Sequence, residues 1–154
     1  MCWRCEVDII SVVMYNLSKK NRNFWRGIMN YLEKLNGSIN HSMPLPDIVK
    51  AFEEMCEEPI DNDMILFETG TFSFTGEPLF YFSLVRQFPN DDDEYYQIHV
   101  DVLFKPNITN HEFSFTVWNI DIKENIFDFI RKSAAFDYAK SEPYQRIDIY
   151  MDET

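Results

Sequence analysis

"FSFTGEPLFYFSLVRQF", residues 72–88, is the run on which the fold turns. Phe80, Phe82 and Leu84 fall on one side of an alternating pattern, and Leu79, Tyr81 and Val85 fall on the other. A strand that is apolar on both sides is covered on both sides, which places it centrally in a sheet. TGEP before it has the residues of a tight turn, with proline preset for the bend. Residues 72–88 therefore predict a hairpin whose second arm is a central strand. Arg86 shares its parity with Phe82 and Leu84, so its stem can lie on apolar surface while the guanidinium reaches the sheet edge. Asp61 and Asp63 before the first arm, or Asp91, Asp92 and Asp93 after the second, are the counter-charges in reach. An exposed pair of that kind contributes about 0–1 kcal/mol.

Working outward, period-2 alternation marks strands near residues 64–75, 79–88, 95–105 and 111–119. Tyr96, Ile98, Val100, Val102 and Phe104 alternate with Tyr95, Gln97, His99, Asp101 and Lys105, giving the third strand one buried and one wetter face. The short turn "KPNITN" predicts that the third and fourth strands pair as antiparallel neighbours. On the N-terminal side the period is helical. Phe24, Ile28, Leu32 and Leu35 recur at steps of four, four and three, with Trp25 and Met29 beside them. Asn36-Gly37 is a helix stop, since glycine tolerates the left-handed C-terminal position. A second helix opens near Pro46-Asp47, with Ile48, Ala51, Phe52 and Met55 inward. Asp121 and Glu124 resemble a capping box for a third helix, whose apolar face is Ile122, Ile126, Phe129 and Ile130. That helix continues or re-forms through "SAAFDYAK", and "QRIDIYM" adds a last strand. The order ααββββαβ, with no repeat or linker, predicts an α+β single domain: an antiparallel sheet of about five strands, with two N-terminal helices and one C-terminal helix mainly on one face.

The domain is expected to span residues 21–154. Residues 1–20 read as an N-terminal extension outside the folded unit, with Met14 as an alternative start. The apolar run in "MCWRCEVDIISVVM" is interrupted by Glu6 and Asp8 and is too short to span a membrane. A chain of 154 residues buries roughly 70% of its unfolded surface, enough for an independent core. The apolar content of 45%, with 14 Phe and 8 Tyr, argues against disorder.

Net charge is −12 and unevenly placed. Six bases against three acids give residues 1–34 a charge of +3, and the remaining 120 residues carry −15. That field opposes phosphate contact, which disfavours nucleic acid, and favours a basic protein partner. "KKNRNFWR", residues 19–26, reads as a core helix with a basic rim rather than a nucleic-acid contact.

Motifs exclude more than they assign. Neither GxGxxG nor GxxxxGK[ST] occurs, so no glycine-rich phosphate cradle is expected. Cys2 and Cys5 form a lone CxxC without the second ligand pair that structural zinc requires. Asp91, Asp92, Asp93 and Glu94 lack the spaced ligands and glycine of a calcium loop. No metal and no cofactor are expected. Three cysteines without a secretory signal suit a reducing cytoplasm.

His99 and Asp101 lie two residues apart on one face of the third strand, about 7 Å by strand rise. With the fourth strand beside it, Ser114, Thr116 and Trp118 share that face, and Tyr81 and Ser83 lie alongside. Together with Arg86 and Gln87 these form a candidate binding surface. A Ser-His-Asp hydrolase is poorly supported, because a nucleophilic serine needs a sharp turn and an oxyanion hole and no GxSxG-type elbow occurs. The preferred function is a non-catalytic, immunity- or inhibitor-like interaction module. Its acidic docking surface comprises Asp61, Asp63, Asp91, Asp92, Asp93 and Glu94. The alternatives are a small-ligand binder or enzyme around His99 and Asp101, and a structural homo-oligomer burying Tyr81 and Trp118 against a second copy.

Overall fold

The period changes from helical to alternating after Asp63, and the first strand begins at Met64. A computed structural model describes residues 22–57, 63–73, 76, 78–89, 95–105, 115–119 and 123–153. The elements are α1 (Arg22–Ser38), α2 (Leu45–Met55), β1 (Met64–Ser73), β2 (Pro78–Pro89), β3 (Tyr95–Phe104), β4 (Phe115–Asn119), α3 (Lys123–Lys132), α4 (Ala134–Ser141) and β5 (Tyr144–Glu153). The fold is α+β, with one antiparallel sheet of five strands in the order β4-β1-β2-β3-β5.

The hairpin forms as its residues dictate. Gly76 takes φ 84°, the left-handed conformation a side chain would resist, and the arms pair from Ser73 opposite Pro78 to Met64 opposite Gln87. β2 is the middle strand, and every residue from Phe82 to Phe88 is buried. Phe67 meets Phe82 across β1 and β2 with ring centres 4.7 Å apart.

All four described helices bury their apolar residues in one cluster with Ile65, Phe67, Phe80, Phe82, Leu84, Phe88 and the inward residues of β3 and β5. Pro46 at the start of α2 and Asp47 in its first turn suit a helix N-terminus, where backbone N–H groups lack partners. Glu53 of α2 forms an ion pair with Arg131 of α3, linking the two helices at the surface.

Four local expectations need correction. Gly37 does not stop α1 in the left-handed conformation; the helix runs on to Ser38, and Ile39 N–H bonds Leu35 O at 3.0 Å. The extra turn places Ile39 in the core. The C-terminal helix is two helices. Ser133 separates them by donating to Ile130 O and accepting from Phe136 N–H, the geometry of an N-cap. Phe127, not Phe129, completes the inward stripe of α3: it is 1% exposed against 46%, because positions 126, 127 and 130 fall on one side of a helical turn.

The fourth correction concerns the sheet. β4 pairs with β1, and β3 pairs with β5. A strand has two edges, and those of β3 are taken by β2 and β5. The chain therefore crosses to the opposite side of the sheet before β4 begins.

Candidate functional site

Alternation fixes which side chains share the face opposite the helices, and pairing fixes their neighbours. On this outer face one row crosses all five strands: Thr116, Glu68, Ser83, Asp101 and Asp148. The next row runs from Leu66 through Val85 and His99 to Tyr150, with Trp118 at the register position beside Leu66.

Asp101 is the centre of the first row. Ser83 Oγ donates to its Oδ1 at 2.5 Å, and Tyr150 OH donates to its Oδ2 at 2.8 Å. These bonds tie β2, β3 and β5 together in one register. Burial nevertheless pushes the Asp101 carboxyl above its ordinary range, and Asp148 pushes the same way against the Ser83 and Tyr150 hydrogen bonds. The Tyr150 hydroxyl is pushed far up, first by burial and then by the Asp101 charge.

His99 stacks on Tyr150 with ring centres 4.7 Å apart and planes 4° from parallel. Its Nε2 lies 3.1 Å from Gln97 Oε1, and Gln97 Nε2 donates to Gln87 Oε1 at 3.2 Å. The Gln97 oxygen can only accept, so Nε2 of a neutral His99 carries the proton. Nδ1 then faces Asp101 Oδ1 at 3.9 Å, beyond hydrogen-bond distance. Burial lowers the His99 pKa, opposed by Asp101, Asp152 and Glu68. This does not assemble a hydrolytic triad. The Ser83 proton goes to Asp101, no imidazole among the described residues is hydrogen-bonded to the serine, and Ser83 is 2% exposed.

Tyr81 lies two rows from His99, half-buried, with its ring folded over Gly70. A Cβ at Gly70 would stand 2.8 Å from Tyr81 Oη, so this glycine is what lets the ring lie flat. The ring is thus packed against its own sheet.

Arg86 stands apart from these residues, and it is not at an edge. It is on the helix side, 0% exposed, between the rings of Tyr31 and Phe88 at 4.7 and 5.4 Å. Nη2 and Nε contact Asp63 Oδ2 at 2.6 and 2.7 Å, and Nη1 donates to Met55 O at 3.2 Å. Asp63 was one of the counter-charges in reach, but the pair is buried, because α1 and α2 close over that end of β2. Asp63 therefore does not belong to an acidic docking surface. Gln87 is on the outer face and joins His99 through Gln97.

Thr116 is exposed on the outer face, but β1 and β2 separate it from Asp101. The proximity expected between the third and fourth strands fails for Thr116 and Trp118. Asp61, Asp91, Asp92, Asp93, Glu94 and Ser114 lie outside the described residues. Sequence reasoning missed Tyr150, although its parity with Arg146 and Asp148 was visible. What was missing was the pairing of β5 with β3. A pocket of about 530 Å³ opens elsewhere, between the end of α1 and β5, lined by Asn36, Ile39, Asn40, His41, Ile147 and Ile149.

Among the described residues, no helix is long and apolar enough to cross a membrane. Nor does any group of three or more His, Cys, Asp or Glu among them have an arrangement suited to a metal ion. Compared with protein-family models, curated proteins and solved structures, the chain matches none.

Proposed function

We propose that this protein is a non-catalytic interaction module, immunity- or inhibitor-like in kind, that docks a basic partner on its outer sheet face. The observation that supports this reading is the acidic row: Asp101 directly opposite Asp148, with Glu68 two strands away. Like charges opposite one another destabilise a sheet. A Lys or Arg offered by a partner would offset that repulsion and gain a charge-assisted hydrogen bond. Asp148 already holds Arg146 Nε at 2.9 Å in a partly exposed pair, a contact that an incoming cation can replace. This reading adds acids on the sheet to the loop residues Asp61, Asp91, Asp92, Asp93 and Glu94 named from the sequence. A reducing compartment such as the cytoplasm suits the buried thiol of Cys56.

The test is a titration of the full chain with a fluorescent heptalysine peptide, read by anisotropy at low and high salt. Binding should weaken with salt, and Glu68→Gln and Asp148→Asn should each weaken it about two- to fivefold, the range of a partly exposed ion pair. Binding that ignores both salt and the two substitutions would overturn the reading.

A further inference from the structure

β5 is the longer of the two outermost strands, with ten residues against five in β4. Among the described strands it pairs with β3 alone, in a register unbroken from Arg146 to Glu153. Every second residue of an antiparallel strand turns its N–H and C=O away from its neighbour, so the far side of β5 is a template for one more strand. The pocket of about 530 Å³ lies along this same strand. Its sheet residues, Ile147 and Ile149, both belong to β5, and no residue of β3 lines it. The pocket therefore opens over the rim of the sheet and not over its middle. The end of α1 and the turn after it form the opposite wall, with Ile39 buried and Asn36, Asn40 and His41 exposed.

Three isoleucines and a polar rim suit an aliphatic side chain carried in on a backbone. The rim amides are engaged by their own chain: Asn36 Nδ2 donates to Leu32 O at 3.1 Å, and Asn40 Oδ1 accepts from Ser42 N–H at 3.0 Å and from Ser42 Oγ at 2.6 Å. The other side of β5 has a different chemistry. Arg146, Asp148, Tyr150 and Asp152 pair with Leu103, Asp101, His99 and Gln97 and so stand on the outer face. Residues directly opposite one another in an antiparallel pair share a face. On a strand added to β5, the side chains opposite Ile147 and Ile149 turn to the pocket, and those opposite Asp148 and Asp152 turn to the acids. A second copy would bring the same net charge of −12, whereas a basic segment brings the complementary one.

We propose that the basic partner adds an extended segment antiparallel to the outer edge of β5, with an aliphatic side chain in the pocket beside Ile147 and Ile149 and a Lys or Arg opposite each of Asp148 and Asp152. Main-chain hydrogen bonds hold such a strand, and the alternate side chains select it. Read from its N-terminus, the segment runs basic, apolar, any residue, apolar, basic, apolar. The second position faces Met151, which packs against the core. A slip of one residue would turn the basic side chains to the pocket side, so the two faces together set the register. The basic positions rest on the docking reading above; the added strand and its pocket residue do not.

The probe is a fluorescein-labelled Lys-Leu-Thr-Ile-Lys-Leu-Thr peptide, titrated against the full chain by anisotropy beside heptalysine. Two further versions carry N-methyl groups on alternate amides, one set each. The set whose N–H groups face β5 should bind about tenfold more weakly or worse, and the other set should bind as the parent does. His41→Trp, on the exposed rim, should weaken the parent about tenfold by filling the space of one aliphatic side chain, and leave heptalysine unchanged. Equal binding by the parent and both methylated sets would overturn strand addition. Salt-sensitive heptalysine binding in the same samples would then leave docking on the face standing. A methylation difference that persists while salt, Glu68→Gln and Asp148→Asn have no effect overturns docking and leaves the added strand. A parent peptide indifferent to His41→Trp overturns the pocket contact. Absence of parent binding overturns the inference, as does a dimer in sedimentation that the parent splits, which would put a second copy at the edge.

Discussion

The guanidinium of Arg86 holds one oxygen of Asp63, with Nη2 at 2.6 Å and Nε at 2.7 Å, at a position where Arg86 has no exposed surface. The same group reaches back to Met55 O at the end of α2, so a single side chain joins β2, the entry to β1 and the end of a helix. Tyr31 and Phe88 flank the cation, and Tyr31 OH lies 3.5 Å from Cys56 Sγ.

Removing one partner of such a pair leaves a buried charge without its counter-ion. Asp63→Ala is expected to cost about 3–5 kcal/mol in urea unfolding. Replacing both charges, as Asp63→Leu with Arg86→Met, is expected to recover most of that loss, since a buried pair gains little over well-packed apolar groups. A loss below about 1 kcal/mol for Asp63→Ala would mean that the site admits water.

Tyr150→Phe removes one of the two hydroxyls that hold the Asp101 carboxylate. Both hydrogen bonds lower the Asp101 pKa against the larger effect of burial, so the variant should titrate at higher pH still. Carbon NMR of the Asp101 carboxyl reads this directly. The sign for stability follows. A carboxyl raised in the fold above its ordinary 3.8 favours folding while protonated, and that contribution is lost as pH rises through the raised value. Tyr150→Phe should therefore lose about 1–3 kcal/mol at neutral pH and less in acid. An equal loss at both would separate the tyrosine from the Asp101 charge.

His99 behaves in the opposite sense. Burial lowers its pKa below the ordinary 6.5, so the fold favours the neutral ring. The contribution is fully present above pH 6.5 and is lost as pH falls through the lowered folded value. Unfolding free energy measured between neutral pH and mild acid should fall more steeply for the native protein than for His99→Gln. Parallel curves would falsify this linkage.

Gly70 and Tyr81 form a packed pair across β1 and β2, and a methyl group at Gly70 would meet the tyrosine ring at 2.8–3.0 Å. Gly70→Ala should destabilise by about 1–3 kcal/mol through overpacking. Adding Tyr81→Ala should then cost less than it does alone, which a double-mutant cycle of thermal or urea unfolding measures. Additive effects would show that the ring moves aside without strain.

How legible the molecule was depends on which interaction is asked about. The parity that puts Ser83, His99 and Asp101 on one side, and Phe80, Phe82, Leu84 and Arg86 on the other, is a local property of an extended backbone. The sequence alone determined it, together with the central place of β2, the turn at Gly76 and the helical stripe through Ile28, Leu32 and Leu35. Tertiary structure alone decided which strands are neighbours. The hydrogen-bond ladder uses backbone groups common to every residue, so the pattern of residues 111–119 did not reveal that β4 adds to β1. That choice moved Thr116 to the far side of the sheet from Asp101, while the pairing of β5 with β3 brought Tyr150 to it. Burial was decided at the same level. Arg86 looked like an edge residue because only the packing of α1 and α2 over the end of β2, with Asp63 carried in beside it, makes that end an interior.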